Sequence, residues 1–362
     1  MRAAFLVAPS TIALREVPDP VCPEDGLLLA VRACGVCGSD LRRWREGPTG
    51  AFALTNSGDS GSNTAQGDII PGHEVSGIVL EVGPGVTDWA PGDHLALAPD
   101  VHCGRCYFCL HGRYNLCDNL RAVGITPGYP GGLAEKMALT GEILTNGIVH
   151  HAPPRMAHAH AALAEPCASV LAAHEYAGTS PADTVVVIGA GPIGCAHIAI
   201  AKARGARVIV SQRSQRRREL ALRFSPDYVI DPLRDDVVSR VRALTGGRGA
   251  DIVICANPVA ETQAQAVEMV RKGGQVLLFG GLPKAAPTVT LDANRIHYGE
   301  IAVVGSFSYH PCMHAQALDV LRRRLVPADR LITHTYPLDR VAEAFDMAAS
   351  GEALKVVVTM GE

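Results

Sequence analysis

An excess of charge of either sign is missing from this sequence. Its 362 residues carry 33 lysines and arginines against 36 aspartates and glutamates, so the formal net charge is only −3. Such a balance gives no bulk attraction to nucleic acid or to an anionic membrane surface. We therefore expect neither of these as a partner.

Long apolar runs are also missing. No uninterrupted apolar stretch reaches the roughly 18 residues that a membrane-spanning helix needs. The amino-terminal segment MRAAFLVAPSTIALREVPDP lacks a continuous apolar core followed by a small-residue cleavage site, so it predicts no secretory signal. Without such a signal, the 11 cysteines are expected to be metal ligands or buried thiols, because the cytosol keeps thiols reduced. A cytoplasmic enzyme is the expected class.

The pattern of apolar residues changes along the chain, which is long enough for two domains. Between Gly26 and about Ala98, short β-type runs such as LLLAVRA and SGIVLEV are separated by turns and predict a β-rich unit. From Thr184 onward, strands alternate with helices and predict a parallel, doubly wound sheet in an α/β fold. We place the boundary near Ala152, and we expect the tail from Ser308 to be helical and to pack on the first unit.

Four cysteines lie close together in CGRCYFCLHGRYNLC: Cys103, Cys106, Cys109 and Cys117. Gaps of two residues let a turn aim successive thiolates at one ion, and four sulfur ligands complete a closed tetrahedral shell for zinc. The spacing therefore predicts a structural zinc site with no place for substrate. An iron–sulfur cluster, which also uses four cysteines, and four incidental thiols are the alternatives.

Further possible ligands are dispersed along the chain: Cys37 in GVCGSD, His73 and Glu74 in PGHEVSG, and Glu165 in LAEPC. Any one of them alone is a weak signal, because a single cysteine or histidine more often belongs to the core or the surface. They gain weight only as a set.

Several segments together resemble one known family. CGVCGSDLRRW, PGHEVSG, the lobe of four cysteines and the later GAGPIG are similar, in this order, to segments of the zinc-dependent medium-chain dehydrogenases, and within that family to the sorbitol and threonine dehydrogenase branch. The resemblance covers nearly the whole chain and is specific for the family but not for a substrate. It implies a GroES-like β-rich catalytic domain in residues 1–152 and 308–362, and a Rossmann dinucleotide-binding domain in residues 153–307.

The resemblance also implies a catalytic zinc ion. Cys37 and His73 match the first two ligands of the family, and Glu74 or Glu165 completes or approaches the shell. Three protein ligands and one open position make zinc a Lewis acid that lowers the pKa of a bound water or alcohol towards neutrality. Which glutamate is the direct ligand stays open.

The resemblance also implies roles at this zinc site for Ser39 and Asp40, which lie shortly after Cys37. Asp40 resembles the carboxylate that holds the far nitrogen of a zinc-bound histidine. Ser39 is placed to accept the alcohol proton, with a helix cap in the GSD turn as the alternative.

The sequence departs from the family pattern at three points. Arg42 stands where many relatives carry a histidine that relays protons to solvent, and a permanently charged guanidinium cannot shuttle a proton. Arg43 follows at a position that lines the substrate pocket in sorbitol dehydrogenases, where a guanidinium favours an anionic or polyhydroxylated substrate; solvated charge is the alternative for both arginines. The stretch from Cys37 to His73 is also long, and its segment Gly47–Asp68 predicts a surface loop.

The segment TVVVIGAGPIGCAHIAIAKARGARVIV predicts a strand, a glycine-rich turn, a helix and a second strand. Gly189, Gly191 and Gly194 occupy the G-x-G-x-x-G positions, where they make the tight turn, let the backbone approach a pyrophosphate and bring the helix against the strand. The start of the helix then faces the phosphate charge, so Pro192 and Ile193 belong to the predicted cofactor site.

The end of the second strand predicts which cofactor is bound. Enzymes that use NAD carry an acid there, which accepts hydrogen bonds from the adenine ribose. This chain instead has Ser211, Gln212 and Arg213. A neutral amide beside a guanidinium removes the repulsion of the extra phosphate of NADP and offers it a charge-assisted partner. By likeness to the polyol dehydrogenases that accept NADP, Arg213 and Arg217 would clasp this phosphate, while the neighbouring arginines form the polar face of the next helix.

The remaining motifs are weaker. Three residues follow later strands at the edge where the nicotinamide half is expected: Asn257, Gly280 and Ser306. Plain loop turns would explain them as well. Four histidines of the segment HHAPPRMAHAHAA are interpreted as part of an interdomain linker in preference to a further metal site: His150, His151, His158 and His160.

We therefore expect a zinc-dependent dehydrogenase that moves hydride between a secondary alcohol, in a polyol, sugar, cyclitol or amino alcohol, and NADP(H), with NAD(H) as the alternative cofactor. A non-catalytic NAD(P)-binding regulator and a quinone or enoyl reductase of the same superfamily are the other hypotheses. The resemblance also implies a homo-oligomer, either a dimer or a tetramer, and a small alcohol or ketone as the partner.

Overall fold

The computed structural model describes residues 1–47 and 69–361. Apart from Gly47, the predicted loop Gly47–Asp68 lies outside these residues. The chain packs as two compact units, the first formed by Met1–Ala168, Tyr309–Arg324 and Ile332–Glu362, the second by Ser169–Ser308 and Leu325–Leu331. None of the helices among the described residues has the length and apolar character to cross a membrane.

The strands of the described residues are short, and most are buried on at least one face. They are β1 (Arg2–Ala8), β2 (Thr11–Glu16), β3 (Leu27–Gly35), β4 (Glu74–Val82), β5 (His94–Ala98), β6 (Asp100–Val101), β7 (Arg121–Ala122), β8 (Lys136–Leu139), β9 (Ile148–His151), β10 (Thr184–Ile188), β11 (Arg207–Ser211), β12 (Tyr228–Ile230), β13 (Ala250–Cys255), β14 (Val270–Leu278), β15 (Ala302–Gly305), β16 (Ile332–Pro337) and β17 (Lys355–Thr359).

The helices of the described residues are concentrated after residue 157. They are α1 (Gly38–Glu46), α2 (Tyr107–Leu110), α3 (Gly141–Asn146), α4 (His158–Ala161), α5 (Ala164–Ala177), α6 (Pro192–Ala203), α7 (Gln215–Ala221), α8 (Val237–Leu244), α9 (Ala260–Met269), α10 (Ala293–Gly299), α11 (Cys312–Arg322), α12 (Ala328–Leu331) and α13 (Val341–Ser350).

The first unit is built on a seven-stranded sheet in the order β16-β17-β3-β4-β5-β9, with β8 paired to β3. Strand β3 is central and pairs antiparallel with β4, β8 and β17. Leu27, Leu29 and Leu95 are fully buried in one core with Phe345 of α13 and Val358 of β17. Most of the tail after Ser308 packs on this unit, except Leu325–Leu331, which belong to the second unit. Our expectation that the tail is helical is wrong for β16 and β17, which are strands of this sheet.

The segment that was predicted to be an interdomain linker is part of the first unit. Strand β9, which carries His150 and His151, pairs antiparallel with β5, and α4, which carries His158 and His160, packs against β3 and β4. The first unit accordingly runs past Ala152 to Ala168.

The second unit contains a six-stranded parallel sheet in the order β12-β11-β10-β13-β14-β15. Counted from β10, this is the 3-2-1-4-5-6 order of the Rossmann fold, as predicted. Strands β10 and β13 are buried along their whole length, which fits a parallel sheet with both faces covered. In such a sheet, ligands bind at the carboxyl ends of the strands.

Candidate functional site

Two groups of potential metal ligands come together in the described part of the chain. The ligand atoms of Cys37, His73 and Glu74 all lie within 4.8 Å of one another, and so do the four sulfur atoms of the cysteine lobe. Both groups consist of residues that the sequence singled out.

The central strands of the first unit bring the dispersed group together. Cys37 follows β3 and caps the amino terminus of α1, while Glu74 begins the adjacent strand β4 and His73 directly precedes it. Gly72 has φ +97°, and a Cβ there would lie 2.6 Å from the sulfur of Cys34. Only glycine therefore fits before His73, and the backbone at this point is fixed by close packing.

His73 lies between two side chains from α1. Its Nε2 is 3.3 Å from Oγ of Ser39, and its Nδ1 is 3.3 Å from Oδ1 of Asp40, a contact close enough for an ion pair but without the geometry of a hydrogen bond. The other oxygen of Asp40 accepts the Cys37 N–H at 3.0 Å. Burial opposes charge on His73, but Asp40 and Cys37 outweigh it and hold the pKa of His73 well above its usual value.

Glu74 is fully buried and is paired with Lys355 of β17, which is 4% exposed. The Lys355 ammonium donates to Oε1 of Glu74 and, across 3.1 Å, to the carbonyl oxygen of Val36. Burial opposes the charge on Lys355, but Glu74 and Cys37 outweigh it and raise the pKa of Lys355. A Cβ on Gly35 would lie 1.9 Å from Oε2 of Glu74, so the glycine leaves the space that this oxygen fills.

The residues of this group fit a divalent cation. Oε2 of Glu74 is buried without a hydrogen-bond partner among the described residues, and a buried carboxylate oxygen is costly to leave unpaired. The raised pKa of His73 indicates that the surrounding groups favour positive charge at this place. One sulfur, one imidazole nitrogen and one carboxylate oxygen are a donor set that zinc accepts.

Glu165, at the start of α5, lies outside this group of three. Its carboxyl group is nevertheless close enough for electrostatic interactions with His73, Glu74 and Lys355. Burial raises the pKa of Glu165 to about 8, although part of its surface reaches solvent, and repulsion by Glu74 adds to the shift. Tyr309 lies near Glu165, and its hydroxyl is buried without a hydrogen-bond partner among the described residues.

Arg42 and Arg43 of α1 have different surroundings. Arg42 is exposed. Arg43 is only 6% exposed, and its guanidinium donates to the carbonyl oxygens of Gly124 at 2.6 Å and Ile125 at 3.3 Å. These contacts give Arg43 a structural role that the sequence did not predict, and substrate binding by either arginine stays a prediction.

The four-cysteine lobe is held by backbone amides. The N–H groups of Cys103 and Asn119 donate to Sγ of Cys117 at 3.2 and 3.3 Å, and Sγ of Cys106 lies 3.5 Å from Sγ of Cys109. A backbone hydrogen bond from Arg105 helps to lower the pKa of Cys103 to about 6. Four thiols in reach of one another, with amides aimed at their sulfurs, fit a closed tetrahedral metal site.

The glycine-rich turn of the second unit connects β10 to α6. Gly189 has φ +101°, and a Cβ on Gly194 would lie 1.9 Å from the carbonyl oxygen of Gly189. The turn therefore closes only with glycine at both positions. Gly191 caps α6, whose first two residues are Pro192 and Ile193. This helix start faces the carboxyl edge of the sheet, where a dinucleotide phosphate binds in this fold.

The residues after β11 form a compact turn beside Gly189. The Gly189 N–H donates to the carbonyl oxygen of Ser211 at 2.9 Å, and the side-chain oxygen of Gln212 accepts the N–H of Ser214 at 3.1 Å. Arg213 is exposed. The guanidinium of Arg217 lies 3.8 Å from where a Cβ on Gly191 would be, so it sits over the glycine turn.

Arg218 stabilises this turn through contacts with its backbone. It donates to the carbonyl oxygens of Gln212 and Arg213 at 2.9 and 2.7 Å, and it pairs with Asp231 at 2.9 Å. The prediction that Arg218 only forms part of the polar face of a helix is therefore incomplete, because it does not include these contacts with the turn.

The three weaker cofactor candidates all follow strands at the same edge. The side chain of Asn257 packs 3.3 Å from the Cβ position of Gly189, and a Cβ on Gly280 would lie 2.4 Å from the carbonyl oxygen of Asn257. The Ser306 N–H donates to Leu278 at 3.1 Å. These contacts connect the segments that follow β10, β13, β14 and β15 along the carboxyl edge of the sheet.

Two models of protein families match the chain. The model described as "Alcohol dehydrogenase GroES-like domain" matches residues 23–147, and the one described as "Zinc-binding dehydrogenase" matches residues 192–323. The first lies in the unit with both cysteine groups, and most of the second lies in the unit with the glycine turn.

Curated relatives and solved structures extend along nearly the whole chain. A sorbitol dehydrogenase of Halalkalibacterium halodurans is 32% identical over 350 residues, covering 96% of this chain and 95% of the relative. An L-threonine 3-dehydrogenase of Pyrococcus abyssi is 33% identical over 352 residues, covering 94% and 92%. The structure of a Sinorhizobium meliloti protein assigned as a zinc-binding dehydrogenase, bound to NADP, has a TM-score of 0.87 at 32% identity and covers 99% of this chain and 98% of that one.

Proposed function

This chain belongs to the zinc-dependent medium-chain dehydrogenases, in the sorbitol and threonine dehydrogenase branch, and we propose that it oxidises a secondary alcohol to a ketone with NADP⁺. As a member of the family it is an oxidoreductase that acts on CH–OH groups and uses zinc and a nicotinamide cofactor. The balanced reaction converts the alcohol and NADP⁺ into the ketone, NADPH and a proton.

The observation that carries the proposal is the grouping of Cys37, His73 and Glu74 within 4.8 Å. These residues would hold the catalytic zinc, which supplies a Lewis acid that favours loss of a proton from an alcohol. The four-cysteine lobe would hold a structural zinc. Between the two candidate glutamates, the position of Glu74 favours it as the direct ligand, with Glu165 as a nearby acid.

The proton of the alcohol requires an acceptor, and Ser39 is the proposed one. Its Oγ lies beside Nε2 of His73, the imidazole nitrogen that faces away from Asp40. A hydroxyl both accepts and donates, so Oγ would take the proton of the alcohol while the hydroxyl passes its own proton to solvent water, which reaches the partly exposed Ser39. Asp40 holds the other nitrogen of His73 and thereby fixes the ring.

The preference for NADP rests on three residues after β11. A carboxylate is absent from the strand end, where Ser211 is followed by Gln212 and Arg213. Arg213 is exposed, and Arg217 sits over the glycine turn. These two cations would pair with the extra phosphate, while NAD is the alternative cofactor. The NADP bound to the Sinorhizobium meliloti relative supports the same preference.

The proposed substrate is a secondary alcohol of a polyol, sugar, cyclitol or amino alcohol. Sorbitol and L-threonine, for which the relatives are named, both carry such hydroxyl groups. A preference for anionic substrates has little support, because Arg42 is exposed and the guanidinium of Arg43 is bound to backbone carbonyls.

In this proposal, one unit binds the metal ions and the other binds the cofactor. The first unit, with the predicted catalytic domain 1–152 and 308–362, holds the metal ions. The second, with the predicted domain 153–307, holds the dinucleotide through Gly189, Gly191 and Gly194. A homo-oligomer and a cytoplasmic location stay predictions.

A substrate panel tests the function directly. Zinc-loaded protein is incubated with secondary alcohols and either NADP⁺ or NAD⁺, and the absorbance of the reduced cofactor is followed. We expect turnover that is faster with NADP⁺ and that is lost in Cys37→Ala with the fold intact, whereas Cys312→Ala, which changes an exposed cysteine of the same unit, stays active. NADPH binding without turnover of any alcohol or ketone would instead indicate a non-catalytic binding protein.

A further inference from the structure

Lys355 joins the two polypeptide segments that carry the candidate metal ligands. Its ammonium donates to Oε1 of Glu74 and to the carbonyl oxygen of Val36, the residue directly before Cys37. We infer that Lys355 is a positioning residue, which sets the orientation of Glu74 and the spacing between Cys37 and Glu74 for a metal ion. The inference deepens the proposed function and rests on it, because it concerns the same site.

The burial of this lysine is difficult to explain by stability alone. Lys355 is 4% exposed and Glu74 is 0% exposed. Withdrawing two charges from water costs free energy that their attraction often fails to recover, and apolar residues of similar size are frequently as stable or more stable. A buried ion pair of this kind is therefore weak support for the fold, and its position beside the metal ligands suggests a task there.

The contacts specify that task. Because the ammonium occupies Oε1, only Oε2 of Glu74 is left for a cation, and Oε2 has no hydrogen-bond partner in the described residues. Gly35 lies opposite Glu74 in the β3–β4 pairing and leaves room for this oxygen. Lys355 thus presents Glu74 as a ligand with a single oxygen and prevents the carboxylate from turning away.

The second contact acts on the other ligand. Val36 ends the extended segment after β3, and its N–H also bonds to the carbonyl oxygen of Val356 at 3.0 Å. Both polar groups of Val36 are thereby held by β17. Cys37 follows immediately, so its backbone is fixed relative to Glu74 through one strand and one ammonium group.

The test compares Lys355→Met with Lys355→Arg in protein loaded with Co²⁺, whose visible absorption reports the ligands and their geometry. For Lys355→Met we expect an altered spectrum of the Cys37 site and a metal affinity, measured by competition with a chelator, that is about 10- to 100-fold weaker, the range found when groups that orient metal ligands are removed. Lys355→Arg keeps a cation with several donors and is expected to restore much of both readouts. The four-cysteine lobe is an internal control whose metal affinity should not change.

Lys355→Met leaves the Glu74 carboxylate buried without its partner, so a second variant covers the case in which it fails to fold. Lys355→Met combined with Glu74→Gln removes both charges, and we expect it to fold and to bind Co²⁺ at the Cys37 site more weakly than Glu74→Gln alone, because the contact of Lys355 with the Val36 carbonyl is lost as well. A Co²⁺ spectrum and affinity equal to those of the wild type in Lys355→Met, or equal to those of Glu74→Gln alone in the double variant if the single one does not fold, would overturn the inference. Failure of the wild type itself to bind a metal at Cys37 would overturn the proposed function as well, so the two failures are distinguishable.

Discussion

The guanidinium of Arg43 donates a hydrogen bond across 2.6 Å to the carbonyl oxygen of Gly124. Gly124 in turn packs on Gly72, because a Cβ on Gly124 would lie 2.4 Å from the Gly72 carbonyl oxygen. The arginine therefore stabilises the backbone directly before His73, and it contacts the candidate metal site only indirectly, through the packing of Gly124 on Gly72.

The first prediction follows from this hydrogen bonding of Arg43. Arg43→Met removes the donors to Gly124 and Ile125, and we expect the free energy of unfolding in urea to fall by about 1.5 to 3 kcal/mol, the usual value for a hydrogen bond to a charged group. The ratio of KM values for neutral and carboxylated alcohols should not change. Arg42→Met, at an exposed position, is the control and should stay within about 0.5 kcal/mol of the wild type. A KM increase confined to carboxylated substrates would show that Arg43 binds substrate.

Ser39 is expected to affect the chemical step. Ser39→Ala removes the proton acceptor beside His73, and we expect kcat to fall by about 10²- to 10⁴-fold with NADPH affinity and zinc content unchanged. Ser39→Thr retains the hydroxyl and should keep more activity than Ser39→Ala. If Ser39→Ala instead lowers the melting temperature and leaves kcat intact, the side chain belongs to helix α1 and not to catalysis.

The choice of cofactor is expected to depend on Gln212 and Arg213. Arg213→Ala should lower kcat/KM for NADP⁺ by about 10- to 100-fold and leave that for NAD⁺ nearly unchanged, because a charge-assisted hydrogen bond contributes roughly 1.5 to 3 kcal/mol. Gln212→Asp adds repulsion of the phosphate and should shift the preference further towards NAD⁺. Arg216→Ala, on the same helix as Arg217, is the matched control. Equal losses with both cofactors would mean that Arg213 shapes the turn without contacting the phosphate.

Metal analysis should find two zinc ions in each chain. Cys117→Ser, which changes a buried ligand of the four-cysteine lobe, is expected to lose one of them and to unfold at a lower temperature, since structural zinc contributes to folding. Cys37→Ser should lose the other ion with a smaller effect on stability. Iron with broad visible absorption in the wild type would instead identify the lobe as an iron–sulfur site.

Stability should decrease in mild acid because of a buried histidine pair in the second unit. Nε2 of His174 lies 3.2 Å from Nδ1 of His197. Burial, together with the nearby Arg204, lowers the pKa of His174 to about 3, and burial holds that of His197 well below 6.5. The unfolded chain takes up these protons near pH 6.5, whereas the folded chain does not.

The sign follows from this difference in proton uptake. The stability contributed by the pair is complete above pH 6.5. It falls as the pH drops from 6.5 towards 3, by up to about 1.4 kcal/mol per pH unit for each histidine. Urea denaturation over this range measures the slope. A His174→Gln, His197→Leu double variant should have a smaller slope, and the exposed His297→Gln should not. An unchanged slope in the double variant would contradict the prediction.

Local patterns were sufficient to predict the glycine turn and the parallel sheet. The spacing of Gly189, Gly191 and Gly194 reflects contacts between residues that are close in sequence, such as that of Gly194 with the Gly189 carbonyl. Strands buried on both faces also have an apolar signature of their own, as in β10 and β13. Such features are visible in a single sequence because one short segment carries the whole constraint.

Contacts between distant segments were not predictable in this way. Lys355 is separated from Glu74 by 281 residues, and a lysine that begins the run KVVVT has the pattern of an ordinary charged strand end. The same run was overlooked as a strand because helical segments precede it in the tail. The contacts of Arg43 with Gly124 and Ile125 were not predictable either, because position alone cannot distinguish a guanidinium that faces a pocket from one that binds nearby carbonyls.

The first unit is discontinuous, and this has a consequence for synthesis on the ribosome. Strand β17 pairs with β3 and brings the ammonium group to Glu74, but residues 36–354, which include the whole parallel sheet, are translated between the two strands. The second unit can fold while the chain is still emerging, because its strands are nearly contiguous. Until β17 is made, the Ala33–Gly35 end of β3 has no partner strand on one edge, although β8 covers Leu27–Ala30. We therefore expect the nascent protein to complete its nucleotide fold before its metal pocket and to expose this strand end to aggregation in the interval.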